Sequence, residues 1–323
     1  MSDTVNIIGF PKLGIYDLSI DRVAIKGIFG TGVNIYWYAI IITVGMILAL
    51  SFCMWRAKDF GLKSDNIIDV ALWGVPLALI GARVYYILMR LDRFDSFWDM
   101  INFRNGGLAI YGGIIAAFLT GLVLCKIKKI NVLALFDCAS LGFFIGQLIG
   151  RWGNFMNAEA HGGQTSLPWG MTINDSVPYH PTFLYESLWN LVGFLLAFLL
   201  IRKIRKADGE VFFFYMAWYG LGRAMIEQLR TDSLYLFGVI RVSQLLGIVF
   251  FVLAAACIVL IRTGVWNKQL EKMRLKKIEK SGFYTPVFET DGDIVTTEVN
   301  DTDLFAAQLE AHKNADENND SEQ

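Results

Sequence analysis

The chain has 323 residues, of which 54% are hydrophobic and 18% charged, and its mean hydropathy is +0.44. This composition excludes an ordinary soluble domain and indicates an integral membrane protein, with the lipid bilayer as its partner and no nucleic acid expected. The formal net charge is −1, but the charges are unevenly distributed, because residues 281–323 contain eleven acidic residues and one lysine. The rest of the chain carries 28 basic and 19 acidic residues, which suits contact with anionic lipid headgroups.

Seven apolar stretches are long enough to cross a bilayer as helices. In chain order they cover 36–54, 66–88, 107–125, 132–149, 182–201, 211–228 and 241–262. The predicted fold class is therefore all-α, a polytopic integral membrane protein with seven transmembrane helices. The N-terminal sequence MSDTVNIIGFPK lacks the basic region and cleavable apolar core of a signal peptide, so the first span is expected to remain. The four cysteines fall within or at the ends of spans and are expected to pack as small apolar residues.

Basic loops predict the orientation of the chain. RAKDFGLK, KIKK and RKIRK follow the first, third and fifth spans, and a basic run extends from Arg262 to Lys280. Such segments belong in the cytoplasm, so seven spans place the N-terminus outside and the C-terminus inside. The expected organisation is an extracytoplasmic segment, a membrane domain, a basic cytoplasmic segment and an acidic, mostly disordered tail: 1–35, 36–262, 263–280 and 281–323.

Ionisable side chains recur in the sixth span, within WYGLGRAMIEQLRTD. They accompany a tyrosine in the series Tyr219, Arg223, Glu227 and Arg230. Their spacing of four, four and three residues places them along one face of a helix. An arginine or carboxylate near the bilayer centre costs on the order of 2.5–3.5 kcal/mol, so the row needs partners or a wet cavity. The pattern indicates either a functional site or an ion pair of Arg223 with Glu227 that joins helices.

The fourth span contributes Asp137, which precedes Arg151 by fourteen residues. If the helix continues, that separation is close to four turns, and the acid is placed to orient or pair with the arginine. Gly142, Gly146 and Gly150 recur between them at a spacing of four, which is typical of closely packed helices.

The stretch GRWGNFMNAEAHGG, residues 150–163, concentrates hydrogen-bonding side chains beside an apolar span. They include Arg151, Asn154, Asn157 and Glu159. The planar fork of arginine matches two phosphate oxygens, and asparagine amides can orient an ester or a headgroup hydroxyl. The stretch therefore predicts a site for an anionic lipid headgroup, with a capped interfacial loop as the alternative.

Two glycine pairs flank Tyr111 and its neighbours in NGGLAIYGG, residues 105–113. Such pairs allow either close approach of the backbone to a ligand or tight helix packing, and the sequence leaves both open. Residues 150–181 are predicted to form one long loop at the membrane interface. His161 and His180 lie in this loop, where each is either a proton acceptor or a structural hydrogen-bonding group. HExxH and paired Cys and His spacings are absent from the sequence, so no metal site is expected.

GRWGNFMNAEAHGG closely resembles the signature of the prolipoprotein diacylglyceryl transferases, Gly-Arg-x-Gly-Asn-Phe-x-Asn-x-Glu. The resemblance continues through IYWYAI, GARVYYIL, GGLAIYGG, HPTFLYES and WYGLGRAMIEQLRTD in the family's order, over about residues 30–262. It implies a seven-helix enzyme of the bacterial cell membrane with its active site at the outer leaflet. Such an enzyme moves the diacylglyceryl group of phosphatidylglycerol to the lipobox cysteine of a preprolipoprotein signal peptide and releases glycerol phosphate.

The family's functional residues map onto this chain position by position. The implied catalytic residues are Arg151, Arg223, Tyr111, Asn154 and Glu159. The implied substrate-binding residues are Arg151, Tyr38, Asp137, Asn157, Tyr219, Glu227 and Arg230. Many members carry histidine where this chain has Tyr111, so a universal histidine base is in doubt and His161 becomes a candidate proton acceptor. No cofactor is expected, because the phosphate ester of the lipid is already the activated group.

Other classes of membrane protein fit the residues less well. A transporter or flippase of an anionic lipid also needs a basic pocket at membrane depth, but repeats or broken helices are expected in it. A metal-dependent phosphatidyl transferase needs clustered aspartates on adjacent helices, and a structural scaffold has no use for a row of ionisable groups. The transporter is kept as the alternative function.

Overall fold

The structure is a computed structural model that describes residues 4–27, 32, 34–94, 96–102, 106–174, 176–231, 235–236, 239–265, 289–290 and 293–294. By its internal contacts the chain divides into residues 1–259 and 260–323. The predicted segments 263–280 and 281–323 lie almost entirely outside the described residues. Within the second segment, Glu289–Thr290 pairs with Asp293–Ile294 as two short antiparallel strands.

A helix occupies each of the seven predicted apolar stretches. The helices are α1 (Trp37–Arg56), α2 (Ser64–Met89), α3 (Phe97–Ile101), α4 (Ile110–Lys128), α5 (Val132–Asn157), α6 (Thr182–Leu196), α7 (Arg202–Ile204), α8 (Glu210–Ile226) and α9 (Val242–Arg262). A π turn at Ala197–Ile201 joins α6 to α7. Among the described residues, six helical segments are long and apolar enough to cross a membrane, and the protein is a mostly helical, multi-pass membrane protein. Helix α8, with 17 residues, is not one of the six, so a seventh crossing and the sides of the termini stay predictions.

Short strands that the all-α prediction misses pair in small sheets, most of them in the N-terminal segment. The strands are β1 (Val5–Phe10), β2 (Ile15–Asp21), β3 (Val23–Ile25), β4 (Ile35–Tyr36), β5 (Thr172–Ile173), β6 (Tyr235–Leu236) and β7 (Ile240–Arg241). Strand β1 is central in the antiparallel order β2-β1-β5, while β3 pairs with β4 and β6 with β7. Ile8, Met171 and Phe183 form a buried core beneath β1. The sheet thus ties the N-terminal segment to the loop between α5 and α6.

Helix α5 packs against α1, α6 and α8. Half of its most apolar stretch is buried, the largest share among the six spans. A methyl group on Gly142 would lie 2.6 Å from Cys53 Sγ, so the packing role predicted for this glycine is confirmed. Gly146 and Gly150 face open space within 4 Å and do not share that role. The helix continues to Asn157, eight residues beyond the predicted span, so GRWGNFMN is helical rather than part of a loop.

The two glycine pairs of NGGLAIYGG have different structural causes. Gly112 packs against Gly81 of α2, whose backbone oxygen would lie 2.3 Å from a methyl group on Gly112. Gly106 and Gly107 have φ angles of +73° and +84°, which favour glycine. The buried guanidinium of Arg83 donates to the carbonyls of this turn and of the residues before it: Asp99, Met100, Asn102, Gly106 and Gly107. Helix packing and a backbone turn therefore account for these glycines.

Candidate active site

Three arginines meet at one buried carboxylate, that of Glu186 near the start of α6, which is 7% exposed. Arg151 of α5 forms an ion pair with Glu186 Oε2. The Nη1 atoms of Arg230 and Arg223 lie 3.3 Å and 3.8 Å from Glu186 Oε1. Arg223 Nη2 also lies 2.8 Å from Oε2 of Glu227, which is 1% exposed, so the ion pair predicted from spacing is present. These five residues are called the Glu186 cluster below.

Two tryptophans hold α6 against α8 and so set Glu186 opposite Arg223. Trp189 Nε1 donates to the Trp218 carbonyl and Trp218 Nε1 donates to the Trp189 carbonyl, each at 2.9 Å. The two rings stack with their centroids 4.4 Å apart. Gly222 permits this approach, because a methyl group there would lie 2.2 Å from Trp189 Nε1.

Backbone pairing brings Arg230, just beyond α8, to the same place. Gly162, in the loop after α5, forms an isolated β-bridge with Arg230. The amide of Gly163 donates to the Leu229 carbonyl at 2.7 Å. The loop after α5 is thereby joined to the end of α8, and the arginines of the two helices converge.

The Glu186 cluster has three guanidinium groups and two carboxylates, and thus a surplus of one positive charge. The cavity beside it measures about 10 Å³. Its lining includes Glu186, Trp189, Asn190, Tyr219, Gly222, Arg223 and Ile226. A space of this size holds about one water molecule, so the arginines are already closed around their carboxylates.

A larger cavity, of about 330 Å³, is lined by Arg22, Tyr36, Tyr38, Ala39, Asn157 and Glu159. Glu159 Oε1 accepts hydrogen bonds from Asn154 Nδ2 at 3.1 Å and Asn157 Nδ2 at 3.2 Å. The ring of Tyr38 covers Gly153, where a methyl group would lie 2.7 Å from it. This space is called the Glu159 cavity below. Its lining brings together three of the predicted residues, Tyr38, Asn157 and Glu159, and adds Arg22, which was not predicted.

A strained turn carries Glu159 past the end of α5. Ala158 and Ala160, on either side of it, have φ angles of +53° and +57°. The amide of Glu159 donates to the Asn154 carbonyl at 3.1 Å, which closes the helix end as in a Schellman motif. The left-handed conformation costs an L-residue roughly 1–2 kcal/mol, and such strain concentrates at functional sites.

His161 and Tyr111, two of the candidate proton acceptors, differ in their hydrogen bonding. Nδ1 of His161 lies 3.0 Å from the Gly162 carbonyl. Since a carbonyl only accepts, Nδ1 carries a hydrogen in this arrangement. Tyr111, at the start of α4, is 39% exposed, and within the described part of the chain its hydroxyl has no hydrogen bond to the Glu186 cluster or the Glu159 cavity.

Asp137 lies at the other end of α5 from Arg151, about 21 Å away along the helix axis. Its Oδ1 accepts from the amide of Phe212 and its Oδ2 from that of Gly209, both at 2.8 Å. Arg205 Nη1 lies 3.2 Å from Oδ2. The expected pairing of Asp137 with Arg151 is therefore wrong, because Asp137 caps the start of α8. Its implied role in binding substrate stays a prediction.

The family model for prolipoprotein diacylglyceryl transferase matches residues 26–260. The chain belongs to this family. It is 46% identical over 239 residues to phosphatidylglycerol--prolipoprotein diacylglyceryl transferase 1 of Clostridium perfringens, which covers 71% of this chain and 90% of the relative. The phosphatidylglycerol--prolipoprotein diacylglyceryl transferase of Clostridioides difficile is 45% identical over 71% of this chain and 90% of its own length. The enzyme of the same name from Finegoldia magna is 46% identical over 72% of this chain and 92% of its own length. The resemblance predicted from the signature is confirmed, and the match includes the whole Glu186 cluster but not Arg22.

Proposed function

We propose that the chain transfers the diacylglyceryl group of phosphatidylglycerol to the lipobox cysteine of a preprolipoprotein. The observation that carries the proposal is the convergence of Arg151, Arg223 and Arg230 on Glu186 with a surplus positive charge. The names of the bacterial relatives give the same donor lipid and the same class of acceptor protein.

The reaction joins sulfur to the glyceryl carbon that carries the phosphate. The carbon–oxygen bond to phosphate breaks, its electron pair leaves with glycerol phosphate, and the thiol proton passes to an acceptor. A free cysteine has a pKa of about 8.5 and is only a few per cent thiolate at neutral pH, so the site has to supply positive potential or a base. Arg151 and Arg223 stabilise the charge that develops on the leaving group, and this is the largest catalytic term. The lipid's own phosphate ester is the activated group, so no nucleotide or metal enters the scheme.

The arginines that the phosphate requires are paired with Glu186 in the structure. Its two carboxylate oxygens already receive the guanidinium groups that a phosphodiester needs. The adjoining space of about 10 Å³ is too small for a phosphate group, so the lipid exchanges with Glu186 for the arginines instead of binding beside it. The arginines are thereby oriented before substrate arrives, which lowers the reorganisation needed during the reaction.

The thiol proton has three candidate acceptors, namely His161, Glu159 and Tyr111. We favour electrostatic activation, in which the arginines lower the thiol pKa and water takes the proton. The variant Tyr111→Phe tests one of these candidates. If the variant retains its turnover, the Tyr111 hydroxyl is excluded as the acceptor of the thiol proton. A loss of turnover with the melting temperature unchanged keeps the Tyr111 hydroxyl as a candidate base.

We further propose seven membrane crossings with the N-terminus outside, which places the Glu186 cluster at the outer leaflet. Basic segments adjoin the start of α5, whereas Arg151 lies near the end of this helix of 26 residues. Single cysteines introduced at Arg90 and at Lys203 test this arrangement in intact cells. A membrane-impermeant thiol reagent is expected to label residue 90 alone, and labelling of residue 203 instead reverses the orientation.

The activity is tested with purified protein, phosphatidylglycerol micelles and a lipobox peptide, without added metal or nucleotide. The peptide is expected to gain the mass of one diacylglyceryl group while glycerol phosphate is released in equal amount. A peptide of unchanged mass, together with movement of labelled lipid between vesicle leaflets, overturns the proposal in favour of a flippase.

A further inference from the structure

The Glu159 cavity contains two opposite charges contributed by distant parts of the chain. Arg22 comes from the N-terminal strands and Glu159 from the turn after α5, and both line the same space of about 330 Å³. That volume is at the lower end of the range of about 300–1,000 Å³ for small-molecule sites. Arg22 lies four residues before the part of the chain that the family model matches.

The backbone fixes Arg22 at the cavity wall. Its amide donates to the Thr4 carbonyl, and its carbonyl accepts from the amide of Trp37 at the start of α1, both at 3.0 Å. The neighbouring acid, Asp21, is engaged by Lys26 Nζ at 2.8 Å and by the amide of Val23 at 2.9 Å. These two hydrogen bonds lower the pKa of Asp21 to about 2.

The charges of Arg22 and Glu159 cancel, and the other polar side chains of the lining are two tyrosines and an asparagine. With Glu159 alone, the cavity would attract an ammonium group; Arg22 opposes that attraction by like-charge repulsion. A headgroup that ends in a carboxylate would be attracted by Arg22 but repelled by Glu159. An uncharged polyol suits both groups, since each hydroxyl can donate to the carboxylate and accept from the guanidinium.

The cavity adjoins the proposed phosphate site on one helix face. Asn154, which donates to Glu159, follows Arg151 by three residues on α5. A phosphodiester held by Arg151 therefore has its headgroup within reach of the Glu159 cavity.

We propose that Arg22 is a specificity-determining residue that makes the Glu159 cavity a subsite for an uncharged polyol headgroup and rejects headgroups that end in an ammonium. This inference rests on the proposed function, because it concerns the donor lipid of that reaction. Arg22 acts on the choice of lipid and takes no part in bond formation.

The test compares phosphatidylglycerol with phosphatidylethanolamine of identical acyl chains, each in micelles with a lipobox peptide whose mass gain is followed. In Arg22→Gln, the rate with phosphatidylethanolamine relative to phosphatidylglycerol is expected to rise at least about tenfold, because the opposing charge is gone. Arg22→Lys keeps the charge and is expected to keep the wild-type ratio. Arg90→Gln, the same change at an exposed arginine beyond α2, is the matched control and leaves the ratio unchanged.

A second measurement uses the wild-type protein alone and so does not depend on the folding of a variant. Glycerol phosphate is expected to inhibit the transfer at a concentration at least about tenfold lower than phosphoethanolamine. Equal inhibition by the two, or an unchanged lipid ratio in folded Arg22→Gln, overturns the inference while transfer from phosphatidylglycerol continues. Failure of the wild-type protein to modify the peptide with phosphatidylglycerol refutes the proposed function instead.

Discussion

Three arginines cluster near each end of α5, but the two groups contain different numbers of acidic residues. At one end is the Glu186 cluster, with three arginines and two carboxylates. At the other end a second group, called the Asp59 cluster, consists of Arg56, Arg202, Arg205, Asp59, Asp137 and Asp208. Its charges balance, three against three.

The acids of the Asp59 cluster also hold the backbone in place. Asp137 accepts from two amides at the start of α8. Asp208 accepts from the Asn131 side chain at 2.7 Å, and the Asp59 carbonyl accepts from Arg205 Nη2 at 2.8 Å. These groups are committed to joining helices, whereas the acids of the Glu186 cluster are fewer than its arginines, two against three. The count of acids and their backbone bonds therefore separates a structural cluster from a binding one.

The largest effect is expected from removing one carboxylate at each end. Glu186→Gln and Asp137→Asn each remove a buried carboxylate and leave the arginines around it undercompensated, so the free energy of unfolding is expected to fall by about 3–5 kcal/mol in both. Thermal unfolding in detergent measures this loss. Inorganic phosphate is expected to restore much of the lost stability to Glu186→Gln, because it takes the carboxylate's place, and little to Asp137→Asn.

The control for phosphate rescue is sodium chloride at equal ionic strength, which screens both clusters alike. If chloride stabilises Glu186→Gln as much as phosphate does, screening explains the rescue and the cluster has no anion preference. Equal rescue of both variants by phosphate contradicts the distinction between the two ends.

A smaller but specific effect is expected when an arginine at each end becomes lysine. Arg151→Lys keeps the charge but loses the planar fork, so kcat is expected to fall by about 10²–10³-fold, as when one preorganised donor is removed from an active site. Arg205→Lys weakens helix contacts and is expected to leave kcat per folded molecule near the wild-type value. Turnover normalised to folded protein measures both.

The sequence predicted the helices well because apolar runs of membrane length are a strong local signal. The Arg223–Glu227 pair, one of the two alternatives for this row of residues, could also be predicted, since a spacing of four residues is a local pattern. The pairing of Asp137 was predicted wrongly, because spacing gives the face of a helix but not which neighbouring helix meets each end. The prediction of a loop at GRWGNFMN was wrong, because hydropathy marks the end of the apolar residues and not the end of the helix.

The residues that the sequence missed depend on contacts between distant segments. Glu186 lies within HPTFLYES, but the sequence does not assign it to the site, because its role appears only when α6 packs against α5 and α8. Arg22 reaches its cavity through β1, which pairs with strand β5 more than 160 residues later. Neither two-residue strands nor their partners leave a pattern that can be read locally.

The smallest effects are expected at the two left-handed residues that bracket α5. Lys129, before the helix, has φ +55° and is exposed, whereas Ala158, after it, has φ +53° and packs partly against the core beneath β1. Lys129→Gly relieves backbone strain and is expected to stabilise the protein by about 1 kcal/mol. Ala158→Gly relieves the same strain but loses a partly buried methyl group worth up to about 0.8 kcal/mol, so its melting temperature is expected to stay near the wild-type value.

Activity is expected to distinguish the turns at Lys129 and Ala158, because only the turn at Ala158 presents a site residue, Glu159. Glycine at position 158 loosens the turn that presents Glu159, so Ala158→Gly is expected to lower kcat several-fold, whereas Lys129→Gly leaves it unchanged. Melting temperature and kcat measured on the same preparations separate stability from positioning. If both glycine variants lower kcat equally, the strain at Ala158 has no special relation to the site, and the functional distinction between the ends of α5 rests on charge alone.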